Sequence, residues 1–252
     1  MRLIDKVNPE LKKYIISQVF PMYELNGESH GIEHINQVIK RTFEITEEYE
    51  ESNEEAFKLD YDVLYVAAAY HDIGEHIDRK QHHIISGNMM FDDTNLDCFL
   101  SLEDKKITKE AIEDHRASNE KIPRSIYGRI ILTADRNNSI DDFFKRRIGY
   151  CLERHPEYTL EEVQEEVFTS SLKKFGKDGY ALNKPGYMPS KKLETYLETI
   201  NDLLQSRQKF DEITSCYFKE MSKDKVSSSS IAQLPPELSN AIIIGSSIKE
   251  NN

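Results

Sequence analysis

The sequence predicts an all-α protein, and three observations carry that prediction. Apolar residues recur at helical spacing, as in Ile32, Ile35, Val38, Ile39, Phe43 and Ile45. No run shows the apolar–polar alternation that a substantial sheet needs. The segment FGKDGYALNKPGYMP, residues 175–189, is dense in glycine and proline and reads as a loop between periodic stretches.

Taken in order, Asn8-Pro9 supplies a cap and a first-turn proline for a helix through about Phe20, with Pro21 following its end. A second helix is expected to open near Ser29 and run to about Tyr49. ESNEEAFKLD then reads as a polar connection. Residues 61–72 are apolar and rich in alanine, which suits a buried helix ending near Gly74. Thr108 and Pro123 mark the expected starts of two more helices. Thr159 and Glu162 in TLEE match a capping box. From Ser190, the residues Leu193, Tyr196, Leu197, Ile200, Leu203 and Leu204 fit a long amphipathic helix. After about Lys225 a serine run and a double proline mark a flexible tail, residues 226–252, whose patch AIIIG is apolar enough to dock. The expected organisation is one helical domain over residues 1–225, and no internal repeat is visible.

Composition excludes several functions. A chain of 252 residues can bury a good core. A net charge of −12 argues against a nucleic acid polymer as partner, because phosphate backbones need a basic footprint. Residues 105–147 run against that trend, with eleven Lys or Arg against seven Asp or Glu, and could help hold a small phosphorylated ligand. No apolar run approaches the roughly 20 residues that span a bilayer, and the N-terminus lacks the apolar core of a secretory signal. Cys98, Cys151 and Cys216 are scattered, with no CxxC pair. A cytoplasmic protein without membrane attachment is expected.

The chemistry concentrates in the histidines. Seven of the eight fall between His30 and His115, and AAAYHDIGEHIDRKQHH, residues 67–83, crowds four of them beside Asp72 and Glu75. His30 and His34 are four apart and would share a face on a helix. His71 and Asp72 stand at the end of the apolar helix, and Asp135 follows another apolar run in ILTADRNN.

His34, the doublet His71-Asp72 and Asp135 resemble, in order, the H…HD…D signature of the HD-domain metal-dependent phosphohydrolases. The contexts SHGIEH, AAYHDIG, AIEDHRAS and ILTADR fit as well, over roughly residues 25–140. The resemblance implies an all-α HD-domain helical bundle with additional C-terminal helices, in which His34, His71, Asp72 and Asp135 bind one divalent ion. Imidazole with carboxylate suits Mn, Fe, Co, Ni or Zn better than Ca. Such an ion acidifies water and polarises a phosphoryl oxygen. The implied activity is hydrolysis of a nucleotide or other small phosphate ester.

By the same resemblance Glu75 orients or deprotonates the attacking water. His115 and Arg116 are expected to contact phosphate, a guanidinium being a good match for phosphate oxygens. Some branches add histidines for a second ion, for which His115 with His82 or His83 qualifies, although one ion is favoured over two. The chain departs from the family in reading Gln37 where many members have arginine. It also has Glu75-His76 where ppGpp hydrolases have Glu-Asp, and it lacks the Gly-Tyr-Pro signature of the cyclic-dinucleotide branch. Two rival expectations are a di-iron oxygenase on the same scaffold and a non-catalytic binding protein stabilised by its metal. Substrate choice is expected to lie in loops at residues 79–110 and 175–190.

Overall fold

The structure, a computed structural model, describes residues 2–27, 30–52, 58–136, 139–182 and 184–224, so the tail from residue 226 lies outside the described residues. Those residues are helical and contain no strand. They divide into two compact units, Met1–Arg136 with Lys184–Ser190, and Asn137–Asn183 with Lys191–Asn252.

In the first unit, α1 (Pro9–Tyr14) opens as expected, with the Asn8 side chain accepting the Glu10 N–H at 2.9 Å. It does not continue as an α-helix to Phe20. The chain widens into π-helical turns at Ile15–Val19 and tightens into 3-10 turns at Phe20–Leu25. Pro21 accounts for the change, since it has no N–H to donate and its ring crowds the carbonyl one turn earlier.

Helix α2 (Ile32–Ser52) buries the stripe containing His34, Ile35, Val38, Ile39 and Phe43. Helix α3 (Tyr61–Tyr70) is capped by Asp60, which accepts the Asp62 and Val63 N–H groups, and it buries every residue except Asp62. It packs against α2 and against α5 and α6, described next, so it is apolar all round. Each of its fully buried Val and Leu side chains contributes roughly 1.5–3 kcal/mol.

Residues 79–110 are not the loop expected. They form α4 (His82–Asp92) and most of α5 (Leu102–Asp114). Helix α5 starts at a capping box between Ser101 and Asp104 rather than at Thr108. The Thr108 hydroxyl instead bonds back to the Asp104 carbonyl at 2.7 Å inside the helix. Helix α6 (Ile126–Ala134) starts at Ser125, two residues after Pro123.

After Phe175, which ends a helix, the described residues of the glycine- and proline-rich stretch form turns and extended chain. Its last part, Lys184–Ser190, straps the first unit: Arg129 donates to the carbonyls of Gly186 (3.1 Å) and Tyr187 (3.3 Å), and the Met188 N–H donates to Thr133 Oγ1 (2.8 Å). Gly186 takes φ +96°, and a Cβ there would lie 2.6 Å from Pro123 Cδ, so only glycine fits.

The second unit contains α7 (Ile140–Arg154), α8 (Leu160–Phe175), α9 (Lys191–Leu204) and α10 (Arg207–Asp224). The Thr159–Glu162 capping box is present at the start of α8. Phe143, Phe144, Phe210 and Tyr217 build its core, with Phe144 stacked on Tyr217 at 5.3 Å. Among the described residues no helix is long and apolar enough to cross a membrane.

Candidate metal centre

The C-terminal end of α3 delivers His71 and Asp72 to the middle of the first unit, both essentially inaccessible to solvent. The turn after them depends on Gly74. A Cβ there would lie 2.7 Å from Ile85 Cγ2 and 2.9 Å from Ile85 Cβ, while the Gly74 N–H donates to Ser86 Oγ at 3.0 Å. This close approach seats the start of α4, and with it His82, beside the doublet. Asn26 fixes the other side, its amide donating to the Asp72 carbonyl (3.0 Å) and its oxygen accepting the His76 N–H (3.1 Å).

Three elements then converge. His34 of α2, His71 and Asp72 after α3, and Asp135 after α6 place one ligand atom each within 4.8 Å of one another. His34 Nε2 lies 3.5 Å from Asp72 Oδ2 and 3.3 Å from Asp135 Oδ1; the corresponding distances for His71 Nε2 are 3.4 and 3.7 Å. These are the four residues expected as ligands.

A second group meets the same limit: Asp72, His82 and His115. His82 Nε2 and His115 Nε2 each stand 3.3 Å from Asp72 Oδ1. Asp72 is therefore common to both groups and turns one oxygen to each. Of the two alternatives His82 and His83, it is His82 that joins His115.

The chemistry of the donors fits a cation. Nδ1 of His71, His82 and His115 each lies against a backbone carbonyl, of Ala68 (2.8 Å), Arg79 (2.8 Å) and Ile112 (2.5 Å). A carbonyl only accepts, so each Nδ1 carries the proton, and in the neutral ring each Nε2 presents a bare lone pair toward the centre. His71 Nε2 is buried without a hydrogen bond. Lone pairs that face carboxylates and one another are stable only with a proton or a cation between them. Anchoring by the other ring nitrogen is how metal-binding histidines are held.

The electrostatics follow. Burial opposes charge on Asp72, but His71, His115 and His30 hold its carboxyl well below the usual range. Burial likewise opposes charge on Asp135, yet the Arg136 guanidinium, bonded to its Oδ2, and His34 and His71 hold it low. Burial pushes the His71 imidazole down, and the Asp72 and Asp135 carboxylates overcome this and lift it to about 10. For His82 burial prevails and lowers it to about 4.

The other expected residues are placed differently. Glu75 is nearly buried at 11% side-chain exposure, lies outside both groups and pairs with Arg79 at 3.4 Å. Arg116 donates to the Lys80 carbonyl, which ties the turn before α4 to the end of α5. Arg136 is buried and bonds the Leu132 carbonyl (3.2 Å) as well as Asp135. Gln37 bonds Glu33 at 3.2 Å along α2.

Sequence reasoning missed His30 as a site residue, although its Nδ1 sits 2.8 Å from Asp72 Oδ2. The available signal was its spacing of four from His34, but it acts from the turn before α2 rather than from the helix. Nothing in the sequence marked Asn26.

The family model described as HD domain matches residues 31–137, which span the four residues of the first group and both histidines of the second. No curated protein and no solved structure matches the chain.

Proposed function

With residues 31–137 an HD domain, of a superfamily that includes metal-dependent phosphohydrolases, we propose that this chain hydrolyses a nucleotide or other small phosphate ester. The observation that carries the reading is Asp72, whose two carboxylate oxygens face two separate histidine groups. His34, His71, Asp72 and Asp135 would hold one divalent transition ion. His82, His115 and Asp72 would hold a second. When bound, such a cation supplies Lewis acidity toward a phosphoryl oxygen and lowers the pKa of water.

The protein's own groups do the rest. The carbonyls of Ala68, Arg79 and Ile112 fix the ring tautomers, and Arg136 fixes Asp135, so the donors need little rearrangement on loading. Glu75, partly screened from solvent and one turn past His71, is assigned the role of accepting the water's proton, with Arg79 paired to its carboxylate at 3.4 Å. In this reading His115 belongs to the metal rather than to phosphate.

The test is turnover of nucleoside phosphates and aryl phosphate esters with Mn²⁺, Co²⁺ or Ni²⁺ added, for wild type and Asp72→Ala. Release of phosphate by wild type alone supports the reading. Absence of release from every ester opposes it. The shared Asp72 also suits a di-iron oxygenase. That alternative predicts O₂ uptake with iron loaded and no release of phosphate.

A further inference from the structure

Beside the second histidine group is a cavity of about 210 Å³ that the chemistry above does not use. Its walls come from residues adjoining His82 and His115 in sequence, namely His83 and Ile84 on one side and Glu113 and Asp114 on the other. The connection from α5 to α6 closes it with Asn119, Lys121, Ile122 and Arg124. Resting on the phosphohydrolase reading, we propose that this cavity receives the organic part of the substrate, and that this part is a neutral, flat, hydrogen-bonding heterocycle of the nucleobase class.

Charge argues against a phosphate chain there. Arg124 is bound by Glu113 Oε2 at 2.7 Å and Asp114 Oδ1 at 3.0 Å, so the two carboxylates offset Arg124 and Lys121. A cavity of balanced charge has no attraction for a polyanion. Its apolar surface points the same way. Ile84 and Ile122 are 38% and 62% exposed, on two different elements, and a flat ring laid against them would remove that surface from water.

Neutral polar groups sit beside the isoleucines. His83, whose Nδ1 is buried without a hydrogen-bond partner, lines the cavity. Asn119 Oδ1 takes the Lys121 N–H at 3.2 Å, leaving the amide –NH₂ as the end that meets a ligand. At about 210 Å³ the space falls below the roughly 300 Å³ at which whole-ligand pockets begin, so it suits a fragment such as a base.

The loop is held in shape from behind. The Lys184 ammonium, almost fully buried, donates to the carbonyls of Asn119 and Lys121. Lys184 is thus a positioning residue for the cavity.

The experiment is binding of adenosine, guanosine, cytidine and uridine, which lack phosphate, to the full-length protein by ligand-observed NMR. Wild type is compared with Asn119→Ala and Ile122→Asp. Both substitutions lie outside the hydrophobic core, and thermal melting with metal content checks that each variant is folded and loaded. At least one nucleoside should bind wild type, with Kd rising about tenfold in each variant, the size expected for one lost hydrogen bond or apolar contact. No nucleoside binding, or equal binding in all three proteins, overturns the proposal. If nucleosides bind as expected but no phosphate ester is hydrolysed, the cavity stands and the phosphohydrolase reading fails. If aryl phosphates are hydrolysed and nucleosides do not bind, the reverse holds.

Discussion

His82 and His115 approach each other Nε2 to Nε2 at 3.1 Å while the Nδ1 atom of each is bonded to a backbone carbonyl. Two neutral rings held this way face lone pair to lone pair. With the Asp72 Oδ1 oxygen 3.3 Å from both, three acceptors converge where a cation is needed to make the contact favourable.

His82 and its neighbour His83 predict how the metal-free protein responds to acid. Burial foremost, with His115 and Arg116 close by, holds His83 down to about 4, and burial does the same for His82. Below the ordinary value of 6.5 the unfolded chain takes up protons that the fold refuses. The contribution is therefore complete above 6.5 and lost as pH falls toward 4. Thermal melting of chelated protein should show Tm falling across that window, and His83→Gln should flatten the fall. An unchanged slope in the variant would contradict the assignment.

His71 behaves in the opposite sense. Its folded value, raised by Asp72 and Asp135 to about 10 against burial, lies above the unfolded 6.5. In the metal-free protein its stabilisation is complete below 6.5 and is lost as pH rises through 10. A metal must displace that proton, so metal affinity should strengthen with pH and loading should release protons. Calorimetry in buffers of different ionisation enthalpy measures the release; none at pH 7 would argue against a protonated His71.

Gly74→Ala is expected to destabilise the first unit by about 1–3 kcal/mol, the usual cost of overpacking. The added carbon would meet Ile85 at Cβ as well as Cγ2, so a simple rotamer change does not relieve it. Urea unfolding gives the value, and metal affinity should fall with it because α4 carries His82.

Lys184→Met keeps the buried stem and removes the ammonium from two carbonyls, for an expected loss of about 1–3 kcal/mol. Unfolding by urea measures it. Metal content should stay at the wild-type level, since Lys184 lies outside both histidine groups.

Glu75→Gln should lower kcat for the best phosphate ester by about a hundredfold, as expected for loss of a proton acceptor, with metal content unchanged. A variant of wild-type kcat would remove Glu75 from the mechanism.

The helical class and the residues of the first histidine–carboxylate group were legible because their signals are local. The all-apolar run of α3 ends at His71-Asp72, and periodic stripes mark α2 and α9. Helix starts were less legible where two residue types compete. Thr108 has the chemistry of a cap, but its hydroxyl bonds back into a helix that Ser101 and Asp104 had already opened. Residues 79–110 looked like loop because α4 carries little amphipathic signal: the residues it buries are Ser86, Gly87 and Met90, two of them small and one of them polar. The choice of His82 over His83 could not be read from the chain. It depends on the phase of α4 relative to Gly74, and a shift of one residue turns the ring toward the neighbouring cavity instead. His30 was hidden for a similar reason, since its approach to Asp72 is fixed by Asn26 and the turn before α2.

The most direct test of the centre is metal content per chain after loading with Mn²⁺ or Fe²⁺, measured by elemental analysis for wild type, His115→Ala and Asp72→Ala. A centre built on a shared Asp72 predicts about two ions in wild type, about one in His115→Ala and almost none in Asp72→Ala. One ion in wild type that persists unchanged in His115→Ala would contradict the second site. Two ions that survive the loss of Asp72 would contradict the shared carboxylate itself.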